Sequence, residues 1–172
     1  MKKNILLLLL TITLSNCGST KRIEIETETQ DWINTQNFIV VKPDNWRPVK
    51  HHGYVGYTPL KKGANFFNNL VSVFQFKLKE KPDFKEFSMN QIRESNEAMN
   101  ITTKEILKEK DRFGYTYIHI YESTLNGEIY KNYTKYFEHN GEYYSYNYSS
   151  LKHKYNKHLK EAMSMLNSIE FK

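Results

Sequence analysis

The segment Phe113–Ser149 reads FGYTYIHIYESTL-NG-EIYKNYTKYFEH-NG-EYYSYNYS, and its two Asn-Gly pairs decide the fold. Asn-Gly is the dipeptide that most readily takes the positive φ angles of a two-residue type I′ hairpin turn. Asn126-Gly127 and Asn140-Gly141 therefore divide the segment into three strands, Phe113–Leu125, Glu128–His139 and Glu142–Ser149, joined as an antiparallel meander. Ten of the thirteen tyrosines lie within it. In the first strand Tyr115, Tyr117, His119 and Tyr121 share one face, while Thr116, Ile118, Ile120 and Glu122 share the other. Both faces are partly apolar, which predicts either a sheet with helices on one side and an aromatic, semi-exposed second side or a sheet covered on both, and a tyrosine ladder that is structural: each ring buries a large area while its hydroxyl stays wet.

Working outward, the firmest helix follows the meander, from about Lys152 to Asn167. Tyr155, Leu159, Ala162, Met163 and Leu166 recur at helical spacing, with lysines on the far side, and predict a helix that covers the sheet. Ser168-Ile169-Glu170-Phe171 closes the chain as an extended segment. Upstream, Ile101–Asp111 reads as a strand. Pro82-Asp83 opens an earlier helix whose stripe is Phe84, Phe87, Ile92 and Met99, and Leu70–Lys79 reads as another strand. Phe38-Ile39-Val40-Val41 is a β-branched strand stopped by Pro43-Asp44-Asn45. The next twenty residues, punctuated by Gly53, Gly56, Pro59 and Gly63, read as hairpin or loop.

The start of the chain carries an address. Met1-Lys2-Lys3 is a basic opening, and Ile5–Leu14 is an apolar run of secretory length, half of what a bilayer span needs. It leads into Leu14-Ser15-Asn16-Cys17, and Cys17 is the sole cysteine of the protein, which excludes an internal disulfide. This resembles a bacterial lipoprotein signal and its lipobox, although Asn16 stands where a small Gly or Ala is usual. The resemblance implies that Cys17 becomes an acylated N-terminus, holding the protein to a membrane in the cell envelope, on its periplasmic or surface-exposed face. The expected organisation is residues 1–16 as signal peptide, 17–36 as a lipidated polar tether and 37–172 as a single α+β domain. The full chain carries 25 Lys and Arg against 19 Asp and Glu; loss of Lys2 and Lys3 with the signal reduces the net charge from +6 to +4. No Lys/Arg block accompanies this mild excess, so neither a nucleic-acid partner nor a polybasic membrane patch is expected.

A strand ending in Pro43-Asp44-Asn45-Trp46, an aromatic loop, a long strand, a helix, a Gly114-Tyr115 opening to a tyrosine-rich meander, an amphipathic last helix and a closing Ser168-Ile169-Glu170-Phe171 resemble the PsbP-like superfamily over Asn37–Phe171. The resemblance implies an antiparallel β-sheet with flanking helices, an α/β/α sandwich, and a non-catalytic accessory or binding module without a transferable ligand set.

The search for chemistry returns negatives. There is no nucleophile elbow, phosphate loop, zinc-protease motif or Cys-x-x-Cys pair, and no metal or other cofactor is expected. His51 and His52 are adjacent, so on an extended chain they point apart. His153 and His158 are five apart on the predicted helix. His119 reads as a hydrogen-bonded sheet residue, and Glu122 could approach Glu138 across a hairpin. Three readings follow: a lipid-anchored module that binds an envelope protein, a small-ligand binder using an aromatic cleft between the Trp46–Phe67 loop and the sheet, and a hydrolase with a dispersed site. The first is the expectation carried forward.

Overall fold

Seven strands in the order β2-β3-β4-β8-β7-β6-β5 form one antiparallel sheet in the computed structural model, which describes residues 33–51, 54–60, 69–99 and 101–172, without the side chains of residues 50 and 51. The strands are β2 (Trp46–His51), β3 (Tyr54–Pro59), β4 (Asn69–Phe76), β5 (Thr102–Asp111), β6 (Gly114–Leu125), β7 (Glu128–His139) and β8 (Glu142–Leu151). Helix α1 (Phe84–Met99) packs on one face and α2 (Tyr155–Asn167) on the other, and a two-stranded ribbon pairs β1 (Phe38–Ile39) with β9 (Glu170–Phe171). Phe38–Lys172 make up one compact unit. Its architecture is the expected α+β class, an antiparallel sheet between helices. Residues 1–32, which hold Cys17, the expected signal peptide and most of the expected tether, lie outside the described residues, as do His52, Gly53, Gly63 and Phe66-Phe67.

The two turns form as their composition requires. Asn126 and Asn140 sit at φ 52° and 50°, and Gly127 and Gly141 at 80° and 74°. The left-handed region excludes most side chains on steric grounds, so Asn-Gly sets the register of both hairpins. Tyr117 then pairs with Tyr136 across β6–β7, and Tyr133 with Tyr148 across β7–β8.

On the α1 face, Phe87 packs against Tyr143 and Tyr136, with ring centroids 4.9 and 6.4 Å away, and Phe84 against Tyr117 at 5.8 Å. Tyr143 Oη donates to the Pro82 carbonyl at 2.6 Å, which ties the helix entry to β8. Asp83 Oδ1 accepts from the backbone N–H groups of Lys85 (2.9 Å) and Glu86 (3.2 Å) and so caps α1. Met99, placed by periodicity in the buried stripe, is exposed: the helix has passed the apolar part of the sheet by then.

On the other face, Tyr144, Tyr146 and Tyr148 of β8 are fully buried. Tyr146 Oη donates to the Ala162 carbonyl and Tyr148 Oη to the Tyr155 carbonyl, both on α2. The helix buries Tyr155, Ala162, Met165 and Leu166, while Leu159 and Met163, expected in that stripe, are only half-buried. The stripe is rotated toward His158 and Glu161 because both engage Trp46. Glu161 Oε2 accepts from Trp46 Nε1 (3.0 Å), Oε1 from Asn45 Nδ2 (2.9 Å), and His158 Nδ1 lies 2.8 Å from Oε2. The His158 ring meets the Trp46 indole edge-on at 5.8 Å. Burial alone would raise the Glu161 carboxyl, but the bonds from Asn45, His158 and Trp46 together hold it below the usual carboxylate range. Trp46 has no exposed surface, so the cleft expected between its loop and the sheet cannot use it.

This tie predicts an asymmetry along α2. Glu161→Ala strands the buried Trp46 donor and should cost about 1–3 kcal/mol, whereas the neighbouring exposed Lys160→Ala should stay within about 0.5 kcal/mol. Urea denaturation of the two variants checks it; equal midpoints would remove the tie.

Candidate functional site

Three segments converge where β5 turns into β6, β7 turns into β8, and α1 begins. Their meeting leaves an open cleft of about 560 Å³, lined by Phe84, Tyr115 and Tyr117 as aromatic walls, by Lys85, Lys108 and Arg112 as cations, and by Asp83, Glu138 and His139. The sheet register positions the walls. Lys108 pairs with Tyr117 and Lys110 with Tyr115, so all four project to the α1 side of the sheet. Gly114, at φ 84°, makes the tight return that brings Arg112 and Phe113 to the end of the sheet.

The cations are held against rings. Lys108 Nζ lies 4.2 Å from the Tyr115 centroid and 5.9 Å from that of Tyr117; Lys110 Nζ is 5.6 Å from Tyr115. The Arg112 guanidinium sits 4.3 Å over Phe113, and its Nη2 donates to the Leu166 carbonyl at 3.1 Å. Such contacts are worth about 0.5–1 kcal/mol each at exposed sites, enough to orient a side chain without consuming its charge. Among the described residues none of Lys85, Lys108, Lys110 and Arg112 has a carboxylate partner, whereas Lys81, Lys104 and Lys152 each have one and Lys135 has two. Asp83 is occupied by the backbone of α1, and the His139 ring is stacked on Phe171 at 3.8 Å. Tyr115 is 56% exposed. The arrangement suits an anionic group flanked by apolar or aromatic surface.

The candidates read from sequence do not assemble into a catalytic set. Glu122 and Glu138 are not neighbours: Glu122 pairs with Lys131 and Glu138 with Tyr143. The hydrogen bond from Lys152 holds the Glu122 carboxyl low, against a smaller opposing effect of burial and with Lys104 adding at 3.6 Å. His153 is exposed in the turn before α2, and His158 is committed to Glu161. The side chains of His51 and His52 lie outside the described residues. Among the described residues no group of His, Cys, Asp and Glu could hold a metal ion, and no helix is long and apolar enough to cross a membrane.

His119 is a buried titratable group in an unusual setting. Thr103 Oγ1 donates to Asn96 Oδ1 at 3.0 Å, so its oxygen accepts from His119 Nε2–H at 3.1 Å. Nδ1 is then a bare lone pair with no partner among the described residues. The ring is fully buried and stacks on Tyr121 at 4.5 Å. Burial pushes the imidazole down to about 4, so it is neutral at physiological pH and sealed from any substrate. The expected hydrogen-bonded sheet residue is what the structure contains.

No protein-family model matches the sequence, and no curated protein matches it. Solved structures do resemble the fold. Cyanobacterial PsbP from Synechocystis sp. PCC 6803 aligns with a TM-score of 0.56 at 10% identity, over 79% of this chain and 87% of that one. LpqN, involved in cell envelope biogenesis of Mycobacterium tuberculosis, aligns at 0.55 and 13% identity over 77% and 81%. A Pseudomonas aeruginosa protein of unknown function aligns at 0.55 and 9% identity over 75% and 95%. The chain has a PsbP-like fold, and at these identities the likeness is one of fold alone.

The His119 setting has a signed consequence. The unfolded chain protonates this residue below about pH 6.5 while the folded one resists until about 4. Its contribution is therefore complete above pH 6.5 and is lost as pH falls through that window, by an amount on the order of 3 kcal/mol. His119→Gln, whose amide can still donate to Thr103, should flatten that part of the pH–stability profile; parallel profiles for the two proteins would contradict the assignment.

Proposed function

We propose that the protein is anchored in the cell envelope by acylation of Cys17, that residues 17–36 form the tether, and that the domain from residue 37 acts as a non-catalytic accessory module that binds a protein partner. The observation that carries the binding reading is the cleft at the sheet end: cations and an exposed tyrosine are presented to solvent without carboxylate partners. These groups can hold a partner's anionic and apolar side chains, and they do not pair an acid with a base or a nucleophile. The anchor rests on the basic start, the apolar run and the single cysteine at its end. Acyl chains at about 0.8 kcal/mol per buried methylene would suffice to hold it. The mycobacterial neighbour named for cell envelope biogenesis is consistent with an envelope role here. A small-molecule reading has one supporting feature, since 560 Å³ is within the size range of ligand pockets.

Two measurements in cells test this. A fatty-acid probe should label the wild-type protein and not Cys17→Ser, and the variant should leave the membrane fraction; an unlabelled wild type would sink the anchor. A photocrosslinking phenylalanine analogue replacing Tyr115 should yield a protein adduct that the same analogue at Lys157, on the outer side of α2, does not. Absence of any adduct at Tyr115 would overturn protein binding at the cleft.

A further inference from the structure

The open edge of the sheet runs into this cleft. β5 is the terminal strand and pairs only with β6 among the described residues, so one row of its N–H and C=O groups lacks a strand partner. Ile106, Lys108 and Lys110 alternate on the α1 side, where the cleft lies, and all three are exposed. The acids of the strand end point the other way, and the buried Lys135 already answers them: its Nζ is 2.6 Å from Asp111 Oδ2 and 3.7 Å from Glu109 Oε2. On one face of the edge Glu109 and Asp111 are thus already paired with Lys135, while on the other Lys108 and Lys110 present positive charge at a two-residue period with no ion-pair partner among the described residues.

That period selects an occupant. Carboxylates meet both Lys108 and Lys110 only if they too recur every second residue on one side of an extended chain. A helical acidic segment repeats every three to four residues and fits one lysine at a time. A second copy of β5 is a poor occupant: a symmetric antiparallel pairing centred on Leu107 opposes Glu105 to Glu109, and one centred on Lys108 opposes that lysine to itself. A bilayer offers a plane of charge and no backbone groups for the strand edge.

We propose that β5 and the cleft receive an extended acidic segment of the partner protein, added to the sheet as a further strand, with alternate carboxylates against Lys108 and Lys110 and an apolar residue beside Ile106. Main-chain hydrogen bonds supply affinity and the alternation supplies selectivity, as in other strand-addition complexes. The inference rests on the protein-binding reading above.

The full chain in detergent is titrated against a fluorescein-labelled peptide of sequence Thr-Glu-Val-Glu-Val-Glu-Thr and followed by anisotropy. The alternating peptide should bind, and its affinity should fall as salt is raised. Lys108→Glu/Lys110→Glu should weaken it by about tenfold or more with the thermal midpoint unchanged; the milder Lys108→Gln/Lys110→Gln should weaken it in the same direction and serves if the first variant is unstable. A peptide of the same composition in blocks, and the alternating peptide methylated on every second backbone nitrogen, should both bind about tenfold more weakly. Absence of binding by the alternating peptide, equal binding by the charge variants, or equal binding of the methylated peptide overturns the proposal. So does binding to phosphatidylglycerol vesicles that the charge variants abolish while the peptide is ignored. A Tyr115 crosslink that survives Lys108→Glu/Lys110→Glu would overturn this inference and leave the protein-binding reading standing; a wild-type chain with no crosslink overturns both.

Discussion

Two tyrosine hydroxyls hold the sheet to its last helix, and the rest of the molecule is arranged around them. Tyr146 and Tyr148 are buried on the same face of β8 and donate to carbonyls two turns apart on α2, Ala162 in its middle and Tyr155 at its start. A hydroxyl taken out of water without a partner costs several kcal/mol, so this tyrosine face is tolerable only when α2 sits where those carbonyls meet it. The rings supply apolar area and the hydroxyls supply position. The Trp46–Glu161 bond adds a third tie from the opposite end of the chain and explains why Asn45-Trp46 follows a turn: the indole must turn inward toward α2.

Because the centre of the sheet is committed in this way, capacity for recognition is left at the margins. α1 covers the sheet from Phe76 across to Tyr117 and then runs past its apolar part. β5 stays as an edge, with Lys135 paired with Glu109 and Asp111 on one of its faces. Charged edges are a common protection against sheet-to-sheet aggregation, and β5 gains that protection from the same lysines that give the cleft its charge. The fold is shared with proteins at 9–13% identity, so nothing in the common architecture specifies which partner this margin takes.

What was legible in the sequence was local. The Asn-Gly turns announced the meander, and the spacing of Tyr155, Ala162 and Leu166 announced α2. Pro43-Asp44-Asn45-Trp46 and Ser168-Ile169-Glu170-Phe171 pointed to the fold, and the structure brings their neighbourhood together through Phe38 and Phe171. Periodicity could not fix the rotation of α2, because it reads His158 and Glu161 as polar and therefore outward, while Trp46 draws both inward. It promoted Leu159 and Met163 and missed Met165. The cleft was invisible for a different reason: its walls come from three places far apart in sequence, and only the folded register unites Phe84 with Tyr117 and Glu138. One signal was available. Lys108 and Lys110 alternate at the end of the strand that precedes the Gly114 return, which is the pattern of a charged strand face.

The dependence of the fold on the tyrosine hydroxyls is open to a direct test. Tyr146→Phe/Tyr148→Phe deletes two oxygen atoms and leaves both rings in place, so the buried apolar area barely changes. Urea denaturation of this variant should show a stability loss of about 1–3 kcal/mol, the sum expected for two buried hydrogen bonds, with the slope of the transition unchanged. A midpoint equal to that of the wild type would contradict the account, since the sheet and α2 would then be held by ring packing alone.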